Sequence, residues 1–391
     1  MTIDPPLSPD TDHYLICIAG PDRGKRMAAG GPTLTPGHQL RLGDSLWEVH
    51  GHASSPSVMG LVNQLGDRLS NVAGIEKPGE WNAREMFADV SKKHGDEEIE
   101  AYFTVGTAAT TPTLAAIDTR WPKPWVFGRV FLASVLLYIG FVWAWRTFEN
   151  PNLLPGLMVV GSVAIPFSLL IFFFEVNVPR NISLYQVVKL LLVGGLVSIA
   201  VSLVFFKVTN LTTWLGAAGA GIIEETGKAL TLLLVVNKAR FRWTLNGLLL
   251  GATVGTGFAV FESAGYALGA LDDGARAMRD VIMERGLLSV LGGHVLWTGL
   301  VGAALWRVRG DKPFTRDMLF DPRFLRVLAV CMSMHMIWNS PWDPPMYLKF
   351  ILLGAAAWLL ILGMIQSGLN EVRTAQGVAA TGPLGPPSAN Q

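Results

Sequence analysis

Two patterns of hydrophobic and polar positions divide the chain near residue 120. Residues 13–52 alternate between apolar and polar positions in short stretches separated by Gly and Pro, which is typical of β-strands joined by turns. Residues 82–104 instead carry apolar positions at helical spacing, which predicts one or two helices. Beyond residue 120 the apolar positions run on for about 20 residues at a time, the length that crosses the hydrocarbon core of a bilayer.

The second pattern predicts an all-α polytopic membrane protein with about eight transmembrane helices. The predicted spans cover residues 126–145, 152–174, 184–206, 212–235, 244–268, 286–306, 324–341 and 346–367. They place a membrane domain at 121–368, between a small α+β module at 1–120 and a low-complexity tail at 369–391 that we expect to be disordered. Segment 271–285 is expected to be an outer connector beside two of the spans, where it is also placed to act as a substrate gate.

Composition supports this division. Of the 391 residues, 50% are hydrophobic and only 16% are charged, whereas soluble proteins carry about 25% charged residues. The net charge of +1 hides an asymmetry: residues 1–120 hold 10 Lys/Arg and 16 Asp/Glu, a net of −6, and residues 121–391 hold 21 and 14, a net of +7. With only two cysteines, a disulfide scaffold or a cysteine zinc framework is excluded. We expect no nucleic-acid partner.

The distribution of Lys and Arg predicts the orientation of the spans. The first twelve residues are polar and acidic, unlike a signal peptide, so we expect the N-terminus to stay in the cytoplasm. With that orientation the inner segments hold Arg120, Lys123, Arg180, Lys238, Arg240, Arg242, Arg307, Arg309, Lys312, Arg316, Arg323 and Arg373, whereas the outer segments hold only Arg146, Lys207, Arg276, Arg279, Arg285 and Lys349. Positive residues collect on the cytoplasmic side, so both termini are predicted to be cytoplasmic.

Ionisable residues within the predicted spans are the candidates for chemistry. Each costs about 2.5–3.5 kcal/mol on insertion scales, so such residues are rare and are usually functional. Helical spacing puts Glu224 and Lys228 on one face, and the depths measured from the outer helix ends place the group in the outer half of the bilayer. The acids, the imidazoles and the polar residues that accompany them are Glu224, Glu225, Glu262, His294, His335, Lys228 and Asn339.

Four short motifs in this order resemble those of the PrsW family of intramembrane proteases, which is related to the CAAX-protease families. They are Glu224-Glu225-Thr226-Gly227-Lys228, Phe258 with Glu262, His294 with Trp297, and His335 with Asn339. The resemblance covers roughly residues 125–368. It implies an endopeptidase of a bacterial cytoplasmic membrane that cleaves a membrane-anchored, anti-sigma-factor-like protein near the extracytoplasmic side. CAAX-type relatives carry His where this chain has Glu262 and Arg where it has Lys228, which argues against prenyl-protein processing.

Two mechanisms are compatible with these residues. In the favoured one no cofactor is needed: Glu224 or Glu225 acts as the general base toward water, His335 and Asn339 stabilise the oxyanion, and His294 orients the water or protonates the leaving amine. In the alternative a divalent metal such as zinc is held by Glu225, Glu262, His294 and His335, since a catalytic zinc needs three such ligands and a water. In both, Glu262 belongs to the catalytic group, and Lys228, Phe258 and Trp297 support it.

Other functions are open at this stage. Membrane-embedded carboxylates and histidines also build proton relays, so a proton-coupled transporter or channel is the alternative to a protease. The acidic module at 1–120 shows no catalytic constellation, and we expect an adaptor or regulatory role toward a cytoplasmic partner. The remaining expected partners are the lipid bilayer and the membrane-anchored substrate.

Overall fold

The computed structural model describes residues 13–29, 38–51, 58–77, 81–235 and 241–380. The chain divides into two compact units, Met1–Asn63 and Gln64–Gln391. The predicted fold class is confirmed: the protein is mostly helical, with apolar helices of membrane-spanning length and a small antiparallel sheet near the N-terminus.

The first unit contains the sheet. Its four strands have the antiparallel order β2-β1-β4-β3. Alternate residues on the two central strands, Leu15, Cys17, Trp47 and Val49, are buried together, which is the period-2 pattern of a sheet with one covered face. The strands are β1 His13–Ala19, β2 Arg26–Ala29, β3 Gln39–Leu42 and β4 Ser45–Gly51.

The helices begin at the end of the first unit and continue through the second. The first three are α1 Val58–Ala73, α2 Ala83–Met86 and α3 Asp96–Phe103. The apolar ones that follow are α4 Trp125–Phe148, α5 Leu154–Val176, α6 Leu184–Thr209, the short α7 Leu211–Leu215, α8 Gly219–Val235, α9 Thr244–Ala270, α10 Ala275–Ser289, α11 Gly293–Arg309, α12 Pro322–Trp338 and α13 Leu348–Ala380.

Six of the eight predicted spans coincide with helical segments of the described chain that are long and apolar enough to cross a membrane. The other two, 212–235 and 324–341, coincide with α8 and α12, each of 17 residues. These two helices are shorter than the spans predicted for them, because the chain at 211–218 forms a separate short helix and turn and because α12 ends at Trp338.

The predicted span 286–306 is not one continuous helix. It falls on the end of α10 and most of α11, which are separated by residues 290–292; Gly292 precedes α11 and Gly293 begins it. Both glycines have positive φ values, 99° and 35°, a backbone conformation that side chains disfavour. The break lets α11 begin immediately before His294, so that this histidine lies in the first turn of its helix.

Residues 64–120 belong to the same compact unit as the membrane helices, whereas the sequence pattern places a module boundary at residue 120. Arg307 donates a hydrogen bond to the Gly74 carbonyl at 2.9 Å, and Asn370 donates to Glu76 at 2.7 Å. These contacts attach the segment to the ends of α11 and α13. An adaptor or regulatory role for residues 1–120 stays a prediction.

The last helix extends past the predicted membrane domain. Residues 369–380, expected to be disordered, are part of α13. The extension is held by Gln376, which donates hydrogen bonds to the carbonyls of Leu114 and Ile117 at 2.9 Å. The rest of the predicted tail, residues 381–391, lies outside the described residues.

A glycine stripe on α9 sets the distance between the two helices at the centre of the bundle. A Cβ atom at Gly247, Gly251 or Gly255 would lie 2.2–2.4 Å from a backbone oxygen of α11. Small residues at every fourth position let membrane helices approach backbone to backbone. In this way α9 carries Glu262 close to His294 on α11.

Candidate active site

The ends of several helices surround a cavity of about 630 Å³ that contains most of the predicted site residues. Its walls come from α6, α8, α9, α10, α11 and α12. The predicted residues that line it are Glu224, Phe258, Glu262, His294, Trp297, His335 and Asn339. Glu225 and Lys228 lie behind this wall, and both side chains are fully buried.

One turn of α8 supplies two carboxylates and a cation that lies near both. The Lys228 ammonium contacts Glu225 Oε1 at 2.7 Å and Glu224 Oε2 at 3.9 Å. Spacings of three and four residues put these side chains on one helix face. Because a buried charge without a partner is strongly destabilising, Lys228 and Glu225 depend on each other.

His294 joins α8 to α9. Its Nδ1 lies 2.9 Å from Lys228 Nζ, and its Nε2 lies 3.0 Å from Glu262 Oε2. The Phe258 ring packs beside both groups, with its centroid 5.0 Å from the His294 ring and 4.4 Å from Lys228 Nζ. Phe258 and Glu262, one turn apart on α9, therefore both act on His294, one by packing and the other by a hydrogen bond.

His335 is held in a similar way from the opposite side. Its Nδ1 lies 3.0 Å from Glu225 Oε1, and its Nε2 faces Glu224 Oε2 at 3.8 Å. Trp297 stacks on the imidazole with a centroid distance of 4.7 Å, which fixes the plane of the ring. Asn339 ends α12 one turn later, and its backbone N–H donates to the His335 carbonyl at 3.1 Å.

Three of these residues form a group that could hold a metal ion: Glu224, His294 and His335, whose ligand atoms all lie within 4.8 Å of one another. Glu224 Oε2 lies 3.9 Å from His294 Nδ1 and 3.8 Å from His335 Nε2. Ligands of a tetrahedral zinc at about 2.0–2.1 Å are roughly 3.4 Å apart, so each of these two distances exceeds that spacing by about half an ångström, and the two imidazole nitrogens lie within 4.8 Å of each other. Among the described residues Glu224 Oε2 is buried without a hydrogen-bond partner. One carboxylate and two imidazoles also suit the preferences of zinc.

This group differs from the metal site expected from the sequence, which contained Glu225 and Glu262 in place of Glu224. Glu262 instead bonds Nε2 of His294, and Glu225 bonds Nδ1 of His335. In each histidine this is the ring nitrogen that does not face Glu224. Carboxylates in that position fix the tautomer and the orientation of a metal-binding histidine. The arrangement therefore combines three candidate ligands with a supporting carboxylate behind each histidine.

Arg285 is part of the cluster although the sequence patterns did not identify it as a site residue. It extends from α10 into the cavity wall, donates to Glu262 Oε2, and also donates to Ser263 Oγ at 3.0 Å. Its guanidinium lies over the Tyr266 ring, 4.4 Å from the centroid. Arg285 is the last residue of the segment predicted as an outer connector. Only the packing of α10 on α9 shows that it faces Glu262.

The comparison with protein families agrees with the motifs. A family model described as PrsW family intramembrane metalloprotease matches residues 183–376. No curated protein and no solved structure matches the chain. The family description and the Glu/His/His group make a metal possible, so the expectation that no cofactor is needed is not supported. The match includes all of α6, α8, α9, α11 and α12, and with them every residue of the cluster. The resemblance of this chain to the PrsW family of intramembrane proteases is thereby confirmed over residues 183–376.

Proposed function

We propose that this chain is an intramembrane endopeptidase that holds a divalent metal ion through Glu224, His294 and His335 and hydrolyses a membrane-anchored protein. The observation that carries the proposal is the convergence of these three groups within 4.8 Å, with a carboxylate at 3.0 Å behind each histidine. The family match favours hydrolysis over the proton-coupled transport that buried carboxylates also serve.

A metal such as zinc held by these residues would act as a Lewis acid and would lower the pKa of the attacking water. Glu262 is the remaining carboxylate on the cavity wall, so we assign it the role of the general base that accepts the proton of the water. The water oxygen bonds to the peptide carbonyl carbon, and the proton goes to the amide nitrogen as the C–N bond breaks. Asn339 and the Trp297 indole N–H are the candidate donors to the carbonyl oxygen. Glu225 holds His335 in position, whereas the Lys228 ammonium, 2.9 Å from the His294 Nδ1 that faces Glu224, would have to move off that nitrogen when a metal binds it.

The metal-free mechanism expected from the sequence uses Glu224 or Glu225 as the base instead, and metal analysis separates the two mechanisms. The full chain is purified in detergent and its zinc content is measured beside that of Glu224→Gln, His294→Ala and His335→Ala. We expect about one metal ion per wild-type chain and a strong loss in each variant. His38→Gln is the matched control, because His38 is exposed and belongs to the other compact unit.

Proteolysis is tested in cells by comparing the membrane proteomes of a strain that carries the wild type and one that carries Glu224→Gln. A membrane protein trimmed only in the wild-type strain identifies the substrate and the cleavage site. A metal-free, chelator-insensitive protein that still trims such a substrate would establish the glutamate mechanism. Identical proteomes would refute the protease assignment.

We also propose that the chain lies in a bacterial cytoplasmic membrane with both termini in the cytoplasm and the site in the outer half of the bilayer. The excess of Lys and Arg in the inner segments supports this orientation. An anti-sigma-factor-like substrate would then be cut near the extracytoplasmic side. Reporter fusions at the C-terminus and in the segment between α12 and α13 test it: the first should be active only as a cytoplasmic reporter and the second only as an exported one.

A further inference from the structure

We propose that the substrate reaches the active site sideways from the lipid, through a slot between α6 and α9, and is bound there as an extended chain. The proposal rests on the proposed protease function and adds the route and the conformation of the substrate. The slot is formed by Ile199, Leu203 and Phe206 of α6 and by Phe261, Gly265 and Tyr266 of α9.

The two helices touch at one level, and the cavity lies between them further toward their C-terminal ends. At the contact a Cβ atom at Gly195 would lie 2.8 Å from the Gly257 backbone, so the helices meet backbone to backbone. Further along, Leu203 is 62% and Tyr266 is 58% exposed, although both line the same cavity as the buried Glu224. The cavity is thus continuous from the outer surface of the bundle to the catalytic group.

The mouth of the slot lies within the apolar part of the helices. Leu203 precedes the end of α6 at Thr209 by six residues, and Gly265 precedes the end of α9 at Ala270 by five. At a rise of 1.5 Å per residue these positions lie about 7–9 Å inside the helix ends. An opening at that depth with apolar side chains around it faces lipid rather than water.

Unsatisfied polar groups in the cavity favour a peptide over a lipid tail as the occupant. Among the described residues Ser202 Oγ and Trp297 Nε1 are buried without a hydrogen-bond partner, and both residues line the cavity. An acyl chain has no hydrogen-bonding groups that could pair with them. A transmembrane helix uses its own backbone groups internally, whereas an extended chain presents N–H and C=O groups that need partners. The slot therefore fits a membrane segment that unwinds as it enters.

Two glycines on α9 provide a matched test. Gly265 lines the slot and Gly269, one turn later, does not. Both are exposed, and a Cβ atom added at either position meets no atom within 4 Å, so a large side chain fits the fold at both. The readout is trimming of the membrane protein whose cleavage depends on Glu224. We expect Gly265→Phe to reduce trimming by tenfold or more, about 1.4 kcal/mol, and Gly269→Phe to stay close to the wild type.

The outcomes separate the slot from the protease function. Equal trimming by the two variants would overturn the slot.

If no membrane protein is trimmed in a Glu224-dependent way, the protease proposal fails, and the slot is then tested by photocrosslinking in phosphatidylcholine vesicles. The probe is a synthetic single-span peptide with about 20 apolar residues, and the full chain carries a benzophenone at Leu203. Loss of the adduct in Gly265→Phe supports the slot, and an undiminished adduct overturns it. A benzophenone at Leu196, exposed on α6 outside the slot, measures the background.

Discussion

At the scale of single residues the site is a chain of groups that satisfy one another. Glu225 bonds both Lys228 and His335, and Glu262 bonds both His294 and Arg285. The two carboxylates differ in one respect: Glu262 lines the cavity, whereas Glu225 is fully buried behind His335. We therefore assign a positioning role to Glu225 and a proton-transfer role to Glu262.

This difference predicts that Glu225→Gln and Glu262→Gln respond differently to added metal. Both should weaken metal binding by about 10- to 100-fold, because each removes a carboxylate that orients a candidate histidine ligand. An excess of zinc should restore substrate trimming in Glu225→Gln and leave Glu262→Gln inactive. Metal titration and trimming assays on the same preparations check this. Full restoration of Glu262→Gln would remove its proposed role as the base.

The buried ion pair on α8 predicts a coupled effect on stability. Lys228→Met should lower the free energy of unfolding by about 3–5 kcal/mol, because it leaves Glu225 charged, buried and without its cation. The double variant Glu225→Gln/Lys228→Met should be more stable than the sum of the two single losses predicts. Thermal unfolding in detergent measures all three variants. Additive losses would show that the pair is not coupled.

At the scale of elements the approach of α9 and α11 decides whether the site forms. The stripe of Gly247, Gly251 and Gly255 removes the side chains that would hold the helices apart, and Gly255 faces the backbone oxygen of His294 itself. In lipid the hydrophobic effect does not drive two helices together, because lipid tails are as apolar as the side chains. Dispersion contacts between the closely packed backbones hold the helices together instead.

Gly255→Val is therefore expected to separate His294 from Glu262. Its Cβ would lie 2.4 Å from the His294 carbonyl oxygen, so the backbone has to move. Overpacking of this kind costs about 1–3 kcal/mol, and we expect a matching fall in the unfolding temperature together with weaker metal binding. Gly269→Val on the same helix, which meets no neighbouring atom, should behave like the wild type. Equal behaviour of the two variants would contradict a role of the stripe in the site.

At the scale of the whole molecule, residues 64–120 are tied to one end of the membrane bundle. Tyr102 donates a hydrogen bond to Glu175 at 3.0 Å, and the same carboxylate accepts the backbone N–H of Val126 at 3.0 Å at the start of α4. Burial and the negative charge of Glu175 raise the pKa of the Tyr102 phenol, so it stays a donor at all physiological pH values. The sheet of the first unit has its own buried cluster.

Two truncations test this organisation. Deletion of residues 1–57, which removes the sheet, should leave the unfolding temperature of the remaining chain and its metal content nearly unchanged. Deletion of residues 1–120 also removes the contacts of Gly74, Glu76 and Tyr102 with the bundle. At about 1 kcal/mol for each lost hydrogen bond, we expect that deletion to lower the unfolding temperature by roughly 5 °C or more. Equal stability of the two products would favour a domain boundary at residue 120.

Sequence alone determined the class of the protein and the candidate residues of its site. Apolar runs of bilayer length can be recognised without a structure. Backbone hydrogen bonds inside lipid must be satisfied within each helix, so each span is a continuous apolar segment. The cost of burying ionisable groups made Glu224, Glu225, Glu262, His294 and His335 conspicuous, and the tertiary structure brings all five together.

Tertiary structure alone decided how those groups are paired. Sequence spacing fixes the face of a helix but not the rotation of one helix against another, so the candidate metal group of the structure contains Glu224 where the expected one contained Glu225 and Glu262. The approach of Arg285 to Glu262 and the slot beside Gly265 also arise between elements that are separate in the chain. Such contacts follow from packing at the glycines of α9 and from the break at Gly292, which periodicity does not encode.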